Sequence, residues 1–255
     1  MDWDKFFQLK AELGRPLVMA HRGASALLPE NSPAAFRRAI RDGADIIETD
    51  LHITADDQIV VIHDATLART VEANGAVRDL TLAQIQSFRL KQPPERAAVD
   101  ERVMSLPELL ELVGQTTPLA LELKTPQFAT ARYAKLLAGT LRRHGMLEEC
   151  AIIGFDRKVL AAVRQVEPRL AAGWITLSNP SPKQPTELLG PFWPLLLLNP
   201  FYIKQAHKMG KIVAPLDPAP EKRIGLYLKM DADVLLTDNP KLTLDEIARR
   251  QNRRR

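Results

Sequence analysis

The sequence predicts an α/β chain folded as one (β/α)8 TIM barrel, and three observations predict it. Short β-branched or aliphatic runs alternate with helix-like stretches, the pattern of a parallel sheet with helical crossovers. Nine such runs are readable. One follows its predecessor too closely for a crossover, which leaves the eight that a closed barrel needs. Finally, 255 residues at 45% hydrophobic content match the size of one barrel and suffice to bury one large core. A single domain over residues 1–255 is therefore expected.

The predicted strands are Leu17–Ala20, Asp45–Leu51, Ile59–His63, Leu119–Leu123, Ala151–Phe155, Ala171–Leu177, Leu195–Leu198, Ile212–Ala214 and Val234–Thr237. The third is the exception, because the turn-like Thr54-Ala55-Asp56-Asp57 precedes it and it should fold back as a hairpin. Helices have readable starts. Asn31-Ser32-Pro33 places a capping residue before a first-turn proline, and Phe36, Ala39 and Ile40 then repeat at helical spacing. Ser105-Leu106-Pro107-Glu108 opens a second helix carrying Leu109, Leu110, Leu112 and Val113. The proline-bearing stretches Gln92–Glu101 and Ser178–Glu187 read as loops, and no internal repeat is present.

Composition narrows the function classes. The longest purely aliphatic run, Leu195–Leu198, is fenced by Pro194 and Pro200, far short of the roughly 20 residues a spanning helix requires, so no stable membrane insertion is expected. The first residues show neither an apolar signal-peptide core nor a small-residue cleavage site, and Cys150 is the single cysteine; both point to the cytoplasm. The net charge of +4 is concentrated partly in Arg249, Arg250, Arg253, Arg254 and Arg255, read as a frayed, solvated end. No nucleic-acid partner is drawn from it.

Four motifs fall at strand ends, where barrels of this kind build their sites. His21-Arg22-Gly23 follows the first strand, Glu48-Thr49-Asp50 lies on the second, His63-Asp64 ends the hairpin return, and Glu122-Leu123-Lys124 ends the next strand. Glu48 and Asp50, two apart on a strand, face one side, and Glu122 would make three anions at one mouth. Such a cluster must protonate or bind a cation, and three oxygen ligands suit a hard divalent metal, Mg2+ or Ca2+. Taken singly, each acid reads as an ordinary salt-bridge partner. His21 and His63 are suited to proton transfer, with a structural or metal-ligand role as the alternatives. Arg22 and Lys124 suit a phosphate anion, although Lys124 also balances Glu122. His52, His144 and His207 are placed on an edge, a helix end and a helix, without a role.

In order and spacing, these motifs, with Pro29-Glu30-Asn31, Thr54 to Asp57, Ala206-His207 with Gly210, and Leu236-Thr237-Asp238 with Pro240, resemble the signature of glycerophosphodiester phosphodiesterases across nearly the whole chain. The resemblance implies a barrel, a divalent cation held by Glu48, Asp50 and Glu122, acid–base catalysis by His21 and His63, and phosphate contacts from Arg22 and Lys124. It implies hydrolysis of a small-molecule glycerophosphodiester to glycerol 3-phosphate and an alcohol. Glu30 carries no assigned role. Residues 65–103 correspond to the family's small insertion, and its shortness suggests an open entrance. Where relatives usually show Trp-Thr-Val-Asn near the end of the seventh strand, this chain has Leu216-Asp217-Pro218-Ala219, which should weaken recognition of glycerol unless Trp174 supplies the aromatic wall. The competing readings are a lysophospholipase D with the same catalytic residues and a non-catalytic phosphodiester-binding barrel. The latter would have little reason to keep all five catalytic and metal residues. Oligomeric state is not readable.

Overall fold

The computed structural model describes residues 3–92 and 100–252. Its strands are β1 (Leu17–His21), β2 (Ile46–Ile53), β3 (Ile59–Val61), β4 (Leu119–Leu123), β5 (Cys150–Gly154), β6 (Ala171–Thr176), β7 (Leu188–Pro191), β8 (Ile212–Val213) and β9 (Val234–Thr237). Eight run parallel in the order β8-β7-β6-β5-β4-β2-β1-β9, a nearly closed barrel, and β3 pairs antiparallel with β2 as the expected hairpin. Along each strand alternate residues divide between two cores. Ala20, Ile47, Leu121, Ile152 and Ala172 face outward onto Phe36, Leu109, Leu137 and Leu160 of the helical layer. Met19, Ile153, Ile175 and Leu236 fill the barrel, whose lower end is closed by Phe6 of the helix Trp3–Leu13, packed on Leu17, Ile46, Leu188, Ile212 and Val234.

Both helix starts form as expected. Ser32 caps Pro33–Arg41 through the Ala35 amide, and Ser105 caps Leu106–Val113 in a reciprocal box with Glu108. The segment after His63 forms a small lobe with its own apolar cluster of Leu67, Val71, Val77, Ile85 and Leu90 against Val60 and Ile62. Of the expected loop at 92–101, residues 93–99 lie outside the described residues.

One strand differs from the sequence expectation. Leu195–Leu198 is a short helix, and the barrel strand is Leu188–Pro191 instead, so the count of eight survives with a different member. A short aliphatic run has the same pattern in a buried strand and a buried helical turn, and Gly190 and Pro191 hide the true strand. Gly190 stands where a Cβ would crowd Ile175 Cγ1 at 3.3 Å. Residues 177–187 form an irregular connection without a helix, in agreement with the loop expected there. The basic end also differs from expectation: Arg249 and Arg250 belong to the helix Pro240–Asn252 and pair with Glu246, while 253–255 lie outside the described residues. Among the described residues no helix is long and apolar enough to cross a membrane.

The barrel closes without a ladder between β8 and β9. Asp233 spans the seam: its amide donates to the Val213 carbonyl (3.1 Å), its carboxylate accepts from the Val213 amide (2.8 Å), and its carbonyl accepts from Leu17 (2.9 Å). Lys10 and His207 neutralise this buried carboxylate at 2.6 and 2.9 Å.

Candidate active site

Inner-face positions of β2 and β4 bring Glu48, Asp50 and Glu122 together, all buried, with ligand oxygens within 4.8 Å of one another. Strand register does most of this, since Asp50 lies beside Glu122 and Glu48 beside His21. Burial, then the charges of Asp50 and Glu122, raise the Glu48 carboxyl well above the ordinary glutamate range, against a smaller pull from Arg22. Burial also raises Glu122, with Lys124 opposing and Asp50 adding. Asp50 Oδ1 is buried without a hydrogen-bond partner among the described residues, its cation neighbour Lys124 Nζ standing 3.7 Å away. An orphaned carboxylate oxygen inside an all-oxygen, mutually repelling set fits a hard divalent cation, which these three residues could hold.

Arg22 wraps this cluster. Its amide donates to Glu48 Oε2 at 3.1 Å, its Nε lies 3.1 Å from Asp50 Oδ2, and its Nη1 reaches Glu30 at 3.0 Å. The turn is tight enough that Arg22 itself is left-handed (φ 58°), and at Gly23 (φ +81°) a Cβ would meet the Ala35 carbonyl carbon at 2.6 Å. Lys124 Nζ donates to Glu122 Oε1 (2.9 Å) and lies 3.0 Å from His63 Nε2. All seven residues singled out from the sequence therefore meet at one mouth.

Each histidine is backed by a carboxylate on Nδ1: His21 by Asp238 at 2.7 Å, His63 by Asp64 at 2.6 Å. That contact places the proton on Nδ1 and leaves Nε2 as the atom able to accept or deliver one, and it stabilises the imidazolium when it forms. At His63 the short approach of Lys124 to Nε2 requires the same tautomer.

Several partners escaped the sequence reading. Asp238 lies at the end of β9, and the strand-end rule that found the other acids would have found it too; Ser25 Oγ also donates to it, at 3.0 Å. Asn31 is buried and left-handed (φ 56°), donating to Asp50 Oδ2 (2.9 Å) and accepting from Thr49 (2.8 Å). His52 is not at an edge but buried within β2, where burial lowers its pKa, and its Nε2 lies 3.1 Å from the His63 carbonyl oxygen, so the neutral ring holds that backbone. Arg69, from the lobe, grips Glu30 at 2.6 and 2.7 Å and Asp64 at 2.6 and 3.2 Å, and its hydrogen bond to Asp64 draws that carboxyl down to about 2. It thereby couples the partner of His63 to the partner of Arg22. Arg69→Ala should lower kcat about tenfold with little change in KM, as loss of an orienting partner does, and Arg69→Lys should restore only part, lacking the bidentate fork. Steady-state kinetics check both; an unchanged kcat in Arg69→Ala would remove this role.

The other half of the mouth is apolar. Phe155, Leu177, Phe192 and Leu216 each stand two residues beyond an inner-face position of β5 to β8, and the first three are exposed. Leu216 lines a small cavity with His21, Glu48 and Glu122. Trp174 does not replace the missing wall: it packs in the outer core with its indole N–H on the Phe155 carbonyl (3.0 Å) and Arg157 stacked on its ring.

Comparison with known proteins agrees with this geometry. The sequence profile of the glycerophosphoryl diester phosphodiesterase family matches residues 21–242. A glycerophosphodiester phosphodiesterase of Caldanaerobacter subterraneus subsp. tengcongensis is 30% identical over 245 residues, covering 91% of this chain and 97% of that one. Among solved structures, a glycerophosphodiester phosphodiesterase from Parabacteroides distasonis superposes with a TM-score of 0.78 at 21% identity, over 92% of this chain and 98% of the other. An Oleispira antarctica phosphodiesterase, solved in complex with the product sn-glycerol-3-phosphate, superposes at 0.76 with 20% identity, over 91% and 97%.

Proposed function

This chain belongs to the glycerophosphoryl diester phosphodiesterase family, and from that premise we propose that it hydrolyses small glycerophosphodiesters to glycerol 3-phosphate and an alcohol, with His21 and His63 as acid and base. The observation that carries the reading is the flanking of three buried carboxylates by two histidines, each backed on Nδ1 by its own acid. Glu48, Asp50 and Glu122 would hold Mg2+ or Ca2+, which when bound supplies charge stabilisation on the phosphate oxygens. Arg22 and Lys124, converging from either side of the acids, bind and orient the phosphoryl group. One imidazole Nε2 removes the proton of the attacking oxygen and the other protonates the leaving alcohol oxygen. Lys124, poised on His63 Nε2 until substrate arrives, keeps that lone pair directed into the mouth. The test is release of glycerol 3-phosphate from a panel of glycerophosphodiesters in the presence of Mg2+ or Ca2+; no product from any of them would overturn the reading.

A second reading, cleavage of lysophospholipids by the same residues, is favoured by the apolar crescent Phe155, Leu177, Phe192 and Leu216. A polar half and an apolar half at one mouth suit a substrate with a phosphodiester head and an acyl chain. Leu177→Asn with Phe192→Asn should cut kcat/KM for lysophosphatidylcholine about tenfold, the worth of one or two apolar side chains withdrawn from contact, while changing glycerophosphocholine hydrolysis less than about twofold. An equal fall on both substrates would rule out an acyl track. Leu216→Trp should lower KM for glycerophosphocholine several-fold, to about a third or less, by giving the glycerol carbons an aromatic face. If KM does not move, the missing tryptophan is not what limits glycerol recognition.

A further inference from the structure

We propose that the segment leaving β7 is a peripheral docking surface for an anionic lipid bilayer. From Pro194 to Phe201 the chain presents Leu197, Leu198 and then Phe201 outward, with 56%, 75% and 64% of their surfaces exposed. These are not loose loop residues, because Leu195, Leu196, Tyr202 and Ile203 on either side are buried and anchor the protrusion. Neighbouring apolar side chains held rigidly in water mark an interaction site.

Charge identifies the partner. One turn behind Phe201 on the helix Tyr202–His207 comes Lys204, then Lys208, and Lys229 faces them across the groove between this helix and Ile224–Met230. All three lysines are exposed, and none makes an ion pair among the described residues. The one acid among the groove's lining residues, Asp231, shares Lys10 (3.0 Å) with the buried Asp233, so three lysines face a single carboxylate. An apolar tip backed by free ammonium groups is the arrangement that inserts hydrocarbon below the headgroups while cations rest among the phosphates. A second copy of the chain fits poorly, since a twofold contact through this patch would set three lysines of each copy against one another with only Asp231, among the lining residues, to meet them.

The apolar tip follows the upper end of β7, next to Phe192, which bridges to Leu216, and the groove behind it runs along the barrel wall to Asp231 at the lower end, where Lys10 of the helix Trp3–Leu13 reaches it.

The test is cosedimentation of the full chain with large unilamellar vesicles, either pure phosphatidylcholine or phosphatidylcholine with phosphatidylglycerol at about 7:3. Binding should be at least about tenfold stronger to the anionic vesicles and weaken steeply with salt, as attraction between lysines and anionic lipid does. Leu197→Ser with Leu198→Ser should reduce it at least about tenfold, and Lys204→Gln with Lys208→Gln should reduce it and flatten its salt dependence. Both variants should hydrolyse water-soluble glycerophosphocholine at the unaltered rate, which shows that they fold. Failure of the unaltered chain to sediment with anionic vesicles at low salt, or equal sedimentation of the leucine variant, would overturn the proposal. So would light scattering that reveals a dimer which the leucine variant dissociates, since the patch would then be a self-interface. Absence of hydrolysis with vesicle binding intact would instead count against the catalytic reading alone.

Discussion

His63→Ala is expected to lower kcat by about 10^2 to 10^4, and His21→Ala by a similar factor, the usual contribution of a positioned acid or base. Neither loss should come from unfolding, because both imidazoles are partly exposed at the mouth and neither belongs to an apolar cluster of the core. The acids behind them provide a graded control. Asp238→Asn removes the charge that fixes and stabilises the His21 ring while keeping a group of the same shape, so it should cost less than His21→Ala itself. Circular dichroism would establish folding and steady-state assays the rates. A His63 or His21 variant that turns over at near-normal rate would show that the ring does no proton transfer.

Chelation is expected to be still more damaging, abolishing hydrolysis until Mg2+ or Ca2+ is returned, and Glu122→Gln should raise the concentration of cation needed at least about tenfold. The reason is the unrelieved repulsion among Glu48, Asp50 and Glu122, and it has a consequence measurable without substrate. Glu48 and Glu122 hold their protons to higher pH when folded than when unfolded. The metal-free folded state therefore binds more protons than the unfolded chain above the ordinary glutamate range. Its stability should fall as pH rises from there through the raised folded values. A bound cation should remove that decline and raise Tm at neutral pH. Thermal melts at two pH values, with and without cation, and calorimetric titration would show it; full activity in excess chelator would sink the metal assignment.

What the sequence disclosed and what it withheld follow a physical division. His21, Arg22, Glu48, Asp50, His63, Glu122 and Lys124 were legible because each sits on a strand or within two residues of its end, and strands can be read from short-range patterns. The residues that orient them were harder to see. Asp238 was visible as a strand-end acid, but its pairing with His21 across 217 positions, like that of Arg69 with Glu30 across 39, is carried by no local periodicity. Asn31 was visible as part of a motif, but its clamp on Asp50 depends on a left-handed backbone that only the folded turn reveals. The exchange of Leu195–Leu198 for Leu188–Pro191 has the same root. Four leucines outscore a strand ending in Gly-Pro on any local scale, and only the neighbouring β6 and β8 decide which segment pairs.

A barrel with an unbroken ring of ladders has no preferred place to open, whereas this one has Asp233. In place of a ladder, the line between β8 and β9 is held by Asp233 below and by the Asp238 amide on the Pro218 carbonyl (2.8 Å) above, so fluctuations of the cylinder should concentrate between these two points as early amide exchange at Val213. Leu216 rides on one lip of that seam and Asp238, which holds His21, on the other. The bore of the catalytic mouth and the aim of one of its imidazoles are thus mechanically geared to a carboxylate that never faces the substrate.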